Sequence, residues 1–97
     1  MQIQEKVQNR DQRMTRENLI LAKAIGTLYS LGYDKDAISE IVKKTKEPET
    51  DTVSYLRDRL AVIRGEYSAA PDSYEVIRKL IGDCDDALSK RNQTEKL

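Results

Sequence analysis

Residues 28–60 read LYSLGYDKDAISEIVKKTKEPETDTVSYLRDRL, and the tripeptide Leu31-Gly32-Tyr33 within them decides the fold. An apolar pattern at helical spacing (Leu21, Ala24, Ile25, Leu28) runs into the tripeptide and stops. Gly32 falls where a helix C-terminus needs a residue with positive φ, which glycine supplies without steric cost. Asp34 follows at once as an N-cap for the next helix. Two helices joined by so short a turn cross steeply, and Leu31 and Tyr33 are left to plug the corner. The polar link Lys46-Glu47-Pro48-Glu49-Thr50 then leads into a third helix, giving a compact three-helix unit.

Working outward, the first helix is expected from about Arg16, with Thr15 as its cap, to Leu31. The second covers about Lys35 to Thr45, with Ala37, Ile38, Ile41 and Val42 on one face. Lys43, Lys44 and Lys46 near its end complement the macrodipole. The third covers about Thr52 to Arg64, capped by Asp51 or Thr50, with Val53, Leu56, Leu60 and Ile63 facing inward and Gly65 ending it. After a short linker, Asp72 and Glu75 have capping-box spacing just past Pro71. Tyr74, Ile77, Ile81, Cys84 and Leu88 then repeat at intervals of three and four, with Val76, Leu80 and Ala87 widening the face. The expected organisation is a polar N-terminal extension over 1–14, helical or disordered, and one all-α domain over 15–91. That domain holds a core over about 16–65 and an extra helix over about 73–91. A disordered tail over 92–97 completes the chain.

At 97 residues the chain is one domain, with 38% hydrophobic and 35% charged side chains. Seventeen basic and seventeen acidic residues cancel, and from Ala24 to Gly65 each sign counts seven. A dedicated nucleic-acid binder usually shows a basic footprint, and none is visible in this order of residues. The single cysteine, Cys84, cannot form an internal disulfide, which fits a reducing compartment. Neither a secretory h-region nor an apolar run long enough to span a bilayer occurs, so a cytoplasmic protein is expected.

Catalytic chemistry finds no foothold. The chain contains no histidine, the commonest general base and metal ligand. It has no paired cysteine motif, no calcium loop and no glycine-rich phosphate loop, so no enzyme, cofactor or metal is expected. Cys84 lies on the apolar face of the last helix and reads as a small buried hydrophobe. Asp83, Asp85 and Asp86 read as a solvated face.

Taken together, residues 28–60 resemble the ubiquitin-associated (UBA-like) three-helix fold. Such domains carry a Met/Leu-Gly-Phe/Tyr loop after the first helix and a Val-x-Tyr-Leu-like signature in the third. Here these are Leu31-Gly32-Tyr33 and Val53-Ser54-Tyr55-Leu56. Within that superfamily the pattern is most similar to the C-terminal domain of the Holliday-junction branch-migration protein RuvA. Ser39, Val42, Lys44, Pro48, Asp51, Leu56, Arg57 and Leu60 follow in matching order and spacing. The likeness covers about a third of the chain and leaves out the OB-fold and helix-hairpin-helix region with which RuvA binds junctions. It therefore implies docking onto an AAA+ motor of the RuvB type, not DNA binding. Ubiquitin binding is the role of eukaryotic relatives. The helix after Ser73 belongs to neither pattern.

The leading expectation is a small bacterial or phage adaptor or inhibitor acting by protein–protein contact through Leu31, Gly32, Tyr33, Tyr55 and Arg59. Tyrosine and arginine are enriched among interface hot spots, although corner packing explains Leu31 and Tyr33 as well. The alternative is a helix-turn-helix-like DNA-binding regulator whose third helix offers Ser54, Arg57, Arg59 and Arg64 to a groove, with Asp51 and Asp58 opposing. A homodimer formed through the heptad-like face of the fourth helix, with or without the N-terminal extension, is the third reading.

Overall fold

The computed structural model describes the backbone of residues 2–96 and the side chains of residues 16–90. It is all-helical over that range: α1 (Gln2–Ser30), α2 (Lys35–Thr45), α3 (Thr52–Glu66) and α4 (Pro71–Lys96). The backbone is helical over 2–14, within α1, and over 92–96, within α4, where a disordered tail was expected. Among the described residues, no helix is long and apolar enough to cross a membrane.

The corner after α1 forms by the anticipated mechanism. Gly32 has φ of 76°, and it is the one residue with positive φ among those described. Its N–H donates to the Tyr29 carbonyl and that of Tyr33 to the Leu28 carbonyl, each at 3.0 Å. This pair of bonds is a Schellman motif, which satisfies carbonyls that a helix C-terminus leaves without partners. Tyr33 then packs against the core that holds Leu28, as the motif's apolar contact requires. Asp34 caps α2 by accepting the Asp36 N–H at 3.2 Å.

α1 starts at Gln2 and runs unbroken through position 15, so Thr15 caps no helix start, and three further helix ends differ from expectation. Asp51 occupies the N-cap position of α3 but makes no capping bond there, and its carboxylate instead accepts the Ser54 hydroxyl at 2.6 Å. The chain runs helically through Gly65 to Glu66. It leaves by successive tight turns (Tyr67 N–H to Arg64, Ser68 N–H to Gly65) that need no left-handed residue. The Asp72–Glu75 capping box does not form, because Pro71 is already the first helical residue. Proline's fixed φ and missing N–H suit that position. Ala70 therefore takes the cap position, its carbonyl accepting the Tyr74 N–H at 2.9 Å, and Glu75 pairs with Arg78.

The core is apolar throughout: Ala24 and Leu28 from α1, Ile38 and Ile41 from α2, Val53, Leu56, Leu60 and Ile63 from α3, and Ile77, Leu80, Ile81 and Cys84 from α4. No polar or charged residue is buried among those described. Full burial of one such Leu or Ile is worth about 1.5–3 kcal/mol, so this cluster outweighs the surface ion pairs. α3 lies at the centre. It packs most extensively on α4 and also touches α1 and α2, whereas α2 and α4 do not meet among the described residues. The heptad-like face of α4 is thus consumed inside the monomer, with Ile77 and Cys84 fully buried.

Candidate functional site

α3 advances about 100° per residue, so its two flanks face different neighbours. Arg57 and Arg64, seven residues apart, share the flank toward α4. Arg57 is bonded to Asp85 of α4 and also lies 3.6 Å from Asp58. Arg64 stacks its guanidinium 5.6 Å from the centre of the Tyr74 ring. Tyr55, Arg59, Val62 and Glu66, spaced four, three and four, lie on the other flank.

That second flank adjoins the α1–α2 corner. The Tyr33 hydroxyl donates to Glu66 at 3.0 Å, and its ring lies 6.3 Å from that of Tyr67, tilted by 42°. Burial, then the Glu66 carboxylate, raise the Tyr33 hydroxyl above its ordinary value of 10, and Arg59 pulls the other way. The corner, Arg59 and the end of α3 are thereby one continuous surface. Leu31, Tyr33, Tyr55 and Tyr67 are half-buried against the core, Arg59 is half-buried and Gly32 exposed. Val62 stands 54% exposed among them.

The five residues expected for partner contact are therefore those of the corner and of this flank. The four expected for groove reading do not share a face. Arg57 and Arg64 are engaged with α4, Ser54 is bonded to Asp51, and Arg59 lies about 200° round the helix from Arg57. Val62 was missed, because it is off the inward stripe of α3 and one isolated apolar residue carries little signal. Its spacing from Tyr55 and Arg59 was the clue available.

Two of the three carboxylates read as a solvated face, Asp83 and Asp85, stay partly exposed but have partners on other helices. Asp83 meets Lys23 of α1 at 3.1 Å, and Asp85 meets Arg57. Burial, then Asp83 and Asp85, push the Cys84 thiol up to about 11, so it is protonated and unreactive near neutrality. Among the described residues, no group of acidic or cysteine side chains could hold a metal ion.

A shallow open groove of about 520 Å³ between α1 and α2 was not foreseen from sequence. Ile25, Tyr29, Ile38 and Val42 form its apolar wall, and Asp36 and Glu40 line it beside Lys43. Comparison with protein-family models, with curated proteins and with solved structures gives no match for this chain.

Proposed function

We propose that this chain is a small, non-catalytic adaptor or inhibitor that docks on another protein through the α1–α2 corner and the adjoining flank of α3. The contact surface is Leu31, Gly32, Tyr33, Tyr55 and Arg59, completed by Val62. One observation carries the reading: on the flank of α3 away from the α4-bound Arg57 and Arg64, Val62 is 54% exposed beside Tyr55 and Arg59. A half-buried aromatic, an arginine and an exposed aliphatic side chain on a rigid helix are the composition expected of a hot-spot cluster. The order of helices and the glycine-broken corner support a UBA-like core, and a RuvB-type AAA+ motor is the partner that this likeness favours.

The test is calorimetric titration of the full chain into a purified RuvB-type ATPase, with Tyr55→Ala and Val62→Glu beside it. Val62 can change without touching the core, whereas Tyr55 packs at its edge, so the fold of Tyr55→Ala is checked by far-UV circular dichroism before titration. Binding that weakens by about 2 kcal/mol or more in either variant, with little salt dependence, is the expected result. Binding unchanged in both variants would refute the surface. Titration of duplex DNA is the counter-experiment. Affinity that falls steeply with salt and depends on Arg57 and Arg64 would replace docking with groove reading.

A further inference from the structure

We infer that α2 is a hinged flap: the chain from Asp34 to Asp51 opens as one unit while α1, α3 and α4 stay packed on one another. Of the twelve buried core side chains, α2 supplies two, Ile38 and Ile41. Among the described residues, the partly buried apolar side chains packed against that core come from α1, the corner, α3, the turn after it and α4, and none from α2. α2 touches α1 and α3 but not α4, and the open groove toward α1 leaves one of its sides wet. Polar contacts divide the same way. Lys23 with Asp83 joins α1 to α4, and Arg57 with Asp85 and Arg64 with Tyr74 join α3 to α4. The contacts of α2 stay within its own length and caps: the Asp36 N–H to Asp34, the Thr45 hydroxyl to the Val42 carbonyl, and Lys44 with Glu47.

The flanking links set the two ends of the flap. On the N-terminal side the corner is pinned to the rest of the fold. The Tyr33 N–H bonds to the Leu28 carbonyl, its hydroxyl donates to Glu66, and its ring lies against Tyr67. The hinge therefore falls after Tyr33, at the exposed Asp34. On the C-terminal side the N–H groups of Lys46, Glu47 and Thr50 bond to Lys43, Lys44 and Glu47, which ties the link to α2 and to itself. α2 has 11 residues, and a helix so short is marginal in water without a packed face. Once Ile38 and Ile41 leave their seats, it melts. Opening exposes those two buried side chains and the faces of α1 and α3 beneath them, a far smaller loss than that of the whole core, so the open state lies between native and unfolded. The proposed docking surface lies outside residues 34–51, so the flap does not depend on that reading.

Native-state hydrogen exchange of the full chain, followed by NMR in rising sub-denaturing urea, tests the inference. The amides of Ile38 to Thr45 should exchange together, at least about tenfold faster than those of Leu60, Ile63 and Cys84. They should also respond less to urea, because opening exposes less surface than global unfolding. The Tyr33 amide should stay with the slow set. Ile81→Val changes α4, which α2 does not touch, and so weakens only the part that opening leaves intact. It should speed the slow set several-fold and leave the α2 amides within about twofold of the parent. Equal rates and equal urea dependence for α2 and the slow set overturn the inference, as does equal acceleration of both by Ile81→Val. Rates that grade inward from the ends of α2 would mean fraying and overturn the single unit.

Discussion

Replacing Gly32 and Gly65 separately by alanine tests the two backbone readings with opposite signs. At Gly32 an added Cβ meets nothing within 4 Å, so the penalty is confined to the left-handed backbone at φ of 76°. A non-glycine residue in that region costs about 1–2 kcal/mol. The residue adjoins the Leu28–Tyr33 hydrogen bond that closes α1, so the cost cannot be relaxed without losing that bond. At Gly65 the added Cβ also meets open space, but the residue is inside α3 at ordinary helical φ. Alanine there should stabilise by about 0.4–1 kcal/mol, mainly by narrowing the unfolded ensemble. Urea titrations followed by far-UV circular dichroism should show the midpoint falling for Gly32→Ala and rising for Gly65→Ala, with unchanged m. For a domain of this size the Gly32→Ala melting temperature should drop by roughly 5–10 °C. A neutral Gly32→Ala would deny the left-handed corner. A Gly65→Ala variant destabilised by more than about 1 kcal/mol would mean that α3 stops at Gly65 after all.

Leu60→Ala empties the middle of α3, where the side chain is 1% exposed, and should cost about 2–5 kcal/mol in the same titration. Val62→Glu, two residues on, should stay within about 0.5 kcal/mol of the parent because it faces solvent. Cys84 should resist a thiol reagent in the folded state and react at once in denaturant, since burial keeps its thiol protonated. Its folded pKa of about 11 lies above the ordinary 9.0, so its contribution to stability is complete below pH 9 and lost as pH climbs toward 11. Tyr33 is shifted the same way, by burial and by Glu66. A Cys84→Ala, Tyr33→Phe double variant should therefore lose stability less steeply than the parent on the alkaline side.

The parts of the fold legible in the sequence were those set by local chemistry. Leu31-Gly32-Tyr33-Asp34 encodes a helix end, a left-handed residue, an apolar plug and a cap within four positions, and these requirements agree. The inward faces of α2, α3 and α4 followed from 3.6-residue periodicity for the same reason. Gly65 misled because glycine in the last turn of a helix is compatible with both stopping and continuing, and tight turns after Glu66 removed the need for a stop. Pro71 misled in the opposite direction, taking the first helical position before Asp72 could act as cap. Asp83 and Asp85 were beyond local reading, since Lys23 and Arg57 lie 60 and 28 residues away along the chain. Val62 was illegible because its meaning depends on which flank of α3 the last helix occupies.

That choice of flank is also what separates the two functional readings. Net neutrality alone does not forbid a basic ridge, but the three arginines of α3 do not form one, because Arg59 lies about 200° round the helix from Arg57. α4 engages the other two: Asp85 holds Arg57, and the Tyr74 ring receives Arg64. An arginine must give up such contacts before it can meet a phosphate, so each makes DNA binding less favourable. Arg59, on the far side of the helix, instead lies among Tyr33, Tyr55 and Val62, where its charge borders apolar surface. An arginine so placed contributes through packing of its stem and face as well as through charge. The helix that the family likeness leaves unexplained thus has a physical consequence: by covering one side of α3, it leaves the side that carries Tyr55, Arg59 and the exposed Val62 open.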